Sequence, residues 1–259
     1  MKADPCACSD PTRHGRAFAR RGLLAGGAGL LACAALPGGV PGLPRPALAA
    51  DPHGPRTSLT PDQALELLKK GNDEYAHGQP FHGDINRERR IAIALAQAPF
   101  CVLVCCSDSR VPPELLFGRG LGELFIVRNA GNTVDTAALG SIEYAVGVLG
   151  VPLVMVLGHE RCGAVAAAIE VVERNATFPG SIGPMVEPIV PAVLQARAQM
   201  GSGSGGDLLD RSVRANVRRI VARLPQQSAV LQGPMREGKL RIVGARYDLD
   251  DGDVDFFDS

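Results

Sequence analysis

Residues 100–110 read Phe-Cys-Val-Leu-Val-Cys-Cys-Ser-Asp-Ser-Arg. The run from Phe100 to Cys105 is wholly apolar, and it stops abruptly at Ser107, Asp108 and Arg110. A strand with one wet face alternates polar and apolar side chains. A strand covered on both faces does not, so this run predicts a buried strand. Three further runs share the pattern: Glu-Leu-Phe-Ile-Val-Arg at 123–128, Leu-Val-Met-Val-Leu at 153–157 and Leu-Arg-Ile-Val-Gly-Ala at 240–245. Helical segments are predicted between them over 136–149, 164–173 and 207–224. Strands alternating with helices predict an α/β fold whose mainly parallel central sheet is flanked by helices.

Outside these runs the signals are local. Thr60 suits an N-cap, Pro61 the first helical position, and Gln63 completes a capping box. Leu65, Leu67 and Leu68 continue that helix as an apolar stripe to about Tyr75. Residues 86–97 predict a second helix. The Gly-Ser-Gly-Ser-Gly-Gly run at 201–206 reads as a flexible loop; it follows a helical segment and lacks the strand–loop–helix setting of a phosphate cradle. Asp250-Asp-Gly252 predicts a turn, and residues 254–257 a final edge strand.

The chain has 259 residues, with 27 basic and 27 acidic side chains. The zero net charge gives no reason to expect nucleic acid as a partner, since phosphate binding needs a basic excess or face. There is no Trp, so the core must be built mainly from Ala, Val, Leu and Ile. The cysteines are Cys6, Cys8, Cys33, Cys101, Cys105, Cys106 and Cys162. Their odd number and crowding do not match a disulfide framework.

The first fifty residues read as an address. Basic residues up to Arg20-Arg21 precede an uncharged stretch from Gly22 to Pro44, and a small-x-small site follows at Ala47-Leu-Ala49. That order predicts a secretory signal over 1–49, similar to a twin-arginine signal, then a linker over 50–57 and one domain over 58–259. The mature protein is expected outside the cytoplasm, periplasmic or extracellular, with no stable membrane span after cleavage. Two other readings stay open. The uncharged stretch is long enough to span a bilayer, although its Gly and Pro residues interrupt a helix. Leu30-Leu-Ala-Cys33 resembles a lipobox, which would anchor the chain by lipid at Cys33.

Two segments carry chemistry, each directly after a predicted strand: Cys106-Ser-Asp108-Ser-Arg110 and Gly158-His159-Glu-Arg-Cys162-Gly163. An open α/β sheet places its site at such strand ends. Two thiolates and an imidazole form a donor set that suits zinc. A fourth position left to water makes such a site catalytic, and zinc lowers the pKa of its water to about 7. The i, i+3 spacing of His159 and Cys162 predicts that both lie on one face of a helical turn. Cys101 and Cys105 are expected to be buried apolar side chains, and Glu160 and Arg161 to be solvated.

These motifs resemble the signature of the β-class carbonic anhydrases. Arg128-Asn-Ala-Gly-Asn132, Gly140-Ser-Ile-Glu-Tyr-Ala145, Val156-Leu-Gly-His159 and Ile242-Val-Gly-Ala-Arg-Tyr247 are similar to further blocks of that family, so the likeness spans roughly residues 58–257. The resemblance implies one Zn2+ per subunit on Cys106, His159 and Cys162, with Asp108 and Arg110 as the catalytic dyad. It implies reversible hydration of carbon dioxide to bicarbonate and a proton through zinc-bound hydroxide. It places Gln97 and the Gly163 N–H at a substrate oxygen, and Phe125, Ala130 and Tyr144 on the pocket wall, where plain core packing is an equal reading for the two aromatics. It also implies a homodimer or tetramer, with the first helix embracing a partner subunit. In some relatives the dyad aspartate becomes a fourth zinc ligand in a closed state, and Asp108 stands at that position. Relatives inhibited by bicarbonate use a Trp three residues before the first ligand; here that residue is Leu103. His77 and His82 are candidate proton relays. The alternatives are hydrolysis of carbonyl sulfide or carbon disulfide on the same fold, or a zinc-binding homologue without turnover.

Overall fold

The computed structural model describes residues 54–200 and 207–257. The signal-like segment, Cys33, the start of the linker and the 201–206 loop lie outside them. Among the described residues no helix is long and apolar enough to cross a membrane.

Helix α1 (Pro61–Ala76) starts as predicted. The Gln63 N–H donates to Thr60 Oγ1 at 3.2 Å, and the Gln63 side chain accepts from the Thr60 N–H at 2.9 Å. Helix α2 (Arg87–Ala92) is half the length expected from the sequence. Asn86 caps it through a 2.7 Å bond from the Arg89 N–H, but none of its residues is buried. A helix this short needs tertiary packing to extend, and none is supplied. The strands are β1 (Cys101–Cys105), β2 (Leu124–Arg128), β3 (Leu153–His159), β4 (Arg241–Tyr247) and β5 (Val254–Phe257). They form one sheet in the order β2-β1-β3-β4-β5, the first four parallel and β5 antiparallel at the edge.

Alternate residues of the buried strands feed two cores. Cys101, Leu103, Cys105, Met155 and Leu157 pack with Ala64, Leu65 and Leu68 of α1. Val102, Val104, Val154 and Val156 pack beneath α4 (Thr136–Gly147) and α8 (Leu208–Gln227). Strands β1 and β3 are buried throughout, as continuous apolar runs require. Strand β2 is not: Leu124, Phe125 and Ile126 are half-buried and Arg128 is exposed. It sits at the sheet edge with β1 as its one neighbour, so one flank has no strand against it.

Helices α3 (Pro113–Leu116), α6 (Ile182–Val186) and α9 (Ala229–Arg236) have no counterpart in the sequence reading, and α7 (Val190–Met200) is the helical segment expected before the 201–206 run. In α7 the apolar residues are spread around the axis and give no stripe; its packing against α8 is a tertiary fact. Helix α5 (Gly163–Arg174) follows β3 directly.

Candidate metal centre

Register brings the two motifs together. Cys105 of β1 lies opposite Leu157 of β3, so Cys106 and His159 leave the sheet side by side. His159 is the last residue of β3 and Cys162 the N-cap of α5. The expected helical turn is therefore absent. Arg161, at φ +50°, turns the chain back in a tight strand-to-helix reversal, and that reversal makes the two side chains converge.

The Cys106 and Cys162 sulfurs are 4.0 Å apart, and the donor atoms of Cys106, His159 and Cys162 all lie within 4.8 Å of one another. All three side chains are buried. Two thiolates on one tetrahedral zinc, each with a bond of about 2.3 Å, would stand about 3.8 Å apart. His159 Nδ1 lies 2.9 Å from the Glu160 carbonyl oxygen, which fixes that nitrogen as the proton carrier. Its Nε2 is buried without a hydrogen-bond partner. A buried imidazole nitrogen without a partner is costly unless something else takes its lone pair. The donor set, the spacing and the orphaned nitrogen all fit zinc.

The electrostatics are asymmetric. The Cys106 thiol is held well below the usual thiol range, chiefly by its hydrogen bond with the Cys162 thiol. Burial opposes that shift, while the Gly131 N–H, 3.2 Å from Cys106 Sγ, reinforces it. Cys162 is pushed up by the same shared proton and by burial, against the Val165 and Ala164 N–H groups at the start of α5. The pair thus favours the thiolate at Cys106 over Cys162.

Asp108 and Arg110 sit beside this cluster. Arg110 Nε donates to Oδ1 at 3.0 Å, Nη2 to Oδ2 at 2.8 Å, and the Arg110 backbone N–H to Oδ1 at 2.9 Å. These bonds from Arg110 hold the Asp108 carboxyl well below the usual carboxylate range. Asp108 Oδ2 is 3.9 Å from His159 Nε2. The aspartate is engaged by arginine and also faces the cluster.

Several supports were not legible in spacing. Arg128 donates to the carbonyls of Cys106 at 2.9 Å and Asp108 at 2.7 Å, clamping the loop between strand and dyad. Gly131, at φ +68°, accepts from Asn216 Nδ2 at 3.0 Å, which aims its N–H at Cys106. Glu160 was expected in solvent. Instead its side chain is largely buried and accepts from the Leu249 N–H at 3.2 Å, while Arg161 pairs with Asp250 at 2.7 Å. The β4–β5 turn thereby braces the ligand loop.

The remaining predicted residues divide. Gly163 opens α5 next to Cys162, with open space over its Cα. Ala130 lines a groove with Ser107, Asn129, Thr133 and Met185. Phe125 lies opposite Val102 in the sheet, four residues before Cys106, or about 13 Å back along the strand at 3.3 Å per residue. Its ring is 6.5 Å from that of Tyr144, which is 45% exposed. Gln97 is exposed and precedes β1, at the end of the sheet away from the cluster. Within one chain, then, Gln97, Phe125 and Tyr144 are not brought to the cysteines. His77 and His82 are exposed near the end of α1, where His77 Nδ1 lies 2.8 Å from the Asp73 carbonyl oxygen.

The sequence profile of a family described as carbonic anhydrase matches residues 101–254. Carbonic anhydrase 2 of Mycobacterium tuberculosis is 42% identical over 196 residues, which cover 75% of this chain and 92% of that protein. A carbonic anhydrase of Mycolicibacterium smegmatis is 40% identical over 195 residues, with the same coverage of 75% and 92%. The crystal structure of the β-carbonic anhydrase CafA of Aspergillus fumigatus superposes with a TM-score of 0.60 at 30% identity, covering 66% of this chain and 81% of that one.

Proposed function

Because the chain belongs to the β-class carbonic anhydrase family, we infer that it catalyses the reversible hydration of carbon dioxide to bicarbonate and a proton, with one zinc ion on Cys106, His159 and Cys162. The observation that carries this reading is the orphaned His159 Nε2 facing two sulfurs 4.0 Å apart, with an arginine-held carboxylate alongside. Zinc, when bound there, supplies a Lewis acid that lowers the pKa of its water towards neutrality.

The chain's own residues do the rest. With Arg110 occupying both of its oxygens, Asp108 stays ionised and acts as a hydrogen-bond acceptor at neutral pH. It can hold the attacking water in one orientation, so the lone pair opposite that bond points at the substrate carbon. Held this way by Arg110, Asp108 would not join Cys106, His159 and Cys162 in holding the ion. The Gly163 N–H, free at the first turn of α5, is the donor this reading assigns to a substrate oxygen.

Gln97, Phe125 and Tyr144 serve as pocket residues for a second copy of the chain. Supporting this, they lie away from their own cluster, at the unpaired β2 flank and the amino-terminal end of the sheet. The enzyme then works as a homodimer or higher assembly, exported and cleaved after the 1–49 segment. Stopped-flow hydration of carbon dioxide by the zinc-loaded chain tests the activity; no rate above buffer sinks it. Mixing inactive Cys106→Ala and Gln97→Ala copies tests the pairing: shared sites regain activity, self-contained ones do not. Mass spectrometry of the mature N-terminus should find Ala50 or Asp51, and a lipidated Cys33 would overturn the cleavage.

A further inference from the structure

Helix α8 carries five arginines: Arg211, Arg214, Arg218, Arg219 and Arg223. Two of them have evident partners. Arg214 pairs with Asp210 at 3.0 Å, and the Arg218 guanidinium lies 4.6 Å over the Phe257 ring. Arg219 and Arg223 differ. They stand four residues apart on one face, where like charges repel. Both are half-buried, and Arg219 Nε is wholly buried without a hydrogen-bond partner. Among the described residues neither makes an ion pair.

Both line a cavity of 30 Å3 with Thr133, Val134, Pro188 and Gln227, and no acidic residue contributes to its wall. Partly buried guanidinium groups without a counter-charge are expensive, and an anion offsets that cost. The volume is about twice the 10–15 Å3 that one water needs, which suits an anion of three or four heavy atoms better than a nucleotide or a sugar acid.

We propose that the Arg219–Arg223 cavity is a binding site for one small planar oxyanion, of the formate, nitrate or bicarbonate class. The site is distinct from the metal cluster. Asn216 lines the cavity and also donates to the Gly131 carbonyl, and the N–H of the same residue meets Cys106 Sγ. One hydrogen-bonded side chain therefore separates the anion from the glycine that supports the first ligand. The recognition chemistry is forked N–H donation from two guanidiniums, with the Gln227 amide as a third donor.

The test is thermal unfolding of the zinc-loaded full chain in sodium formate or sodium nitrate, against sodium gluconate at equal ionic strength; gluconate is too large for the cavity. A tenfold excess of formate over its Kd should raise Tm by about 3 °C relative to gluconate. In Arg219→Gln/Arg223→Gln that rise should disappear, and in Arg219→Lys/Arg223→Lys part of it should persist. Each variant is read against itself, so a general loss of stability does not mimic the result. Anion binding at zinc would leave the same rise in the glutamine variant, and that outcome overturns the proposal. So does an absent rise in the unaltered chain. Sedimentation covers the other source of a carboxylate: if the glutamine variant dissociates into monomers while its formate response is unchanged, the cavity holds a side chain of a second copy and the proposal is wrong.

Discussion

Cys105 and Cys106 are neighbours in sequence, both are buried, and they behave as opposites. Cys105 is the last residue of β1 and points into the core beneath α1. Burial pushes its thiol up to about 12, so it is an inert apolar side chain. Cys106 is one residue further, turned to the other side, and packs with Cys162, Val165 and Ile189. Its thiol is held well below the usual thiol range by Cys162, with the Gly131 N–H adding to the effect. Burial alone thus decides nothing about reactivity. What separates a structural thiol from a ligand is the set of donors and partners around the sulfur.

That contrast can be broken at several points. The largest effect is expected from Cys106→Ala, which should abolish zinc binding and hydration together, while Cys105→Ala keeps a full zinc content by mass spectrometry of metals. Equal zinc in both variants would erase the distinction. Asp108→Ala should keep its zinc yet lose about 10²–10⁴ in kcat/KM, the range typical of an oriented proton acceptor; near-normal turnover would remove Asp108 from the mechanism. Labelling sharpens the comparison directly. In chelator-treated protein at pH 7, iodoacetamide should modify Cys106 at least about tenfold faster than Cys105, because the thiolate is the nucleophile. Zinc should block the Cys106 reaction, and comparable rates without zinc would contradict the assigned thiolate.

Smaller effects follow from the supports. Gly131→Ala must adopt φ +68° and would set a Cβ 2.6 Å from Ile189 Cδ1. A loss of about 1–3 kcal/mol is expected from chemical denaturation, with weaker zinc retention as the Cys106 N–H bond shifts. Cys105→Ala should cost only about 0.5–1.5 kcal/mol, as for other deletions of one buried heavy atom. A larger loss at Cys105 than at Gly131 would reverse the order of the two regions.

The motifs that form the Cys106–His159–Cys162 cluster and the Asp108–Arg110 pair, and the α/β alternation, were legible in the chain because each rests on local information. A strand buried on both faces writes itself as a continuous apolar run. A strand-end site writes itself as polar residues immediately after that run. The capping box of α1 is local in the same sense. The length of α2, the half-exposed β2 flank and the packing of α7 against α8 were not legible, since each depends on which neighbour packs against the segment.

The same division holds within the site. Sequence by itself determined which atoms could ligate zinc, because donor chemistry belongs to residue type. Tertiary structure alone decided that Cys106 and His159 emerge side by side, through the β1–β3 register, and that Arg161 reverses the chain between His159 and Cys162. It alone recruited Arg128, Gly131, Asn216 and Glu160 as supports, and left Gln97, Phe125 and Tyr144 away from their own cluster. The physical reason is that hydrogen bonds and repulsions act over a few ångströms of space, and residues twenty to ninety apart in the chain reach that range only after the sheet has set its register.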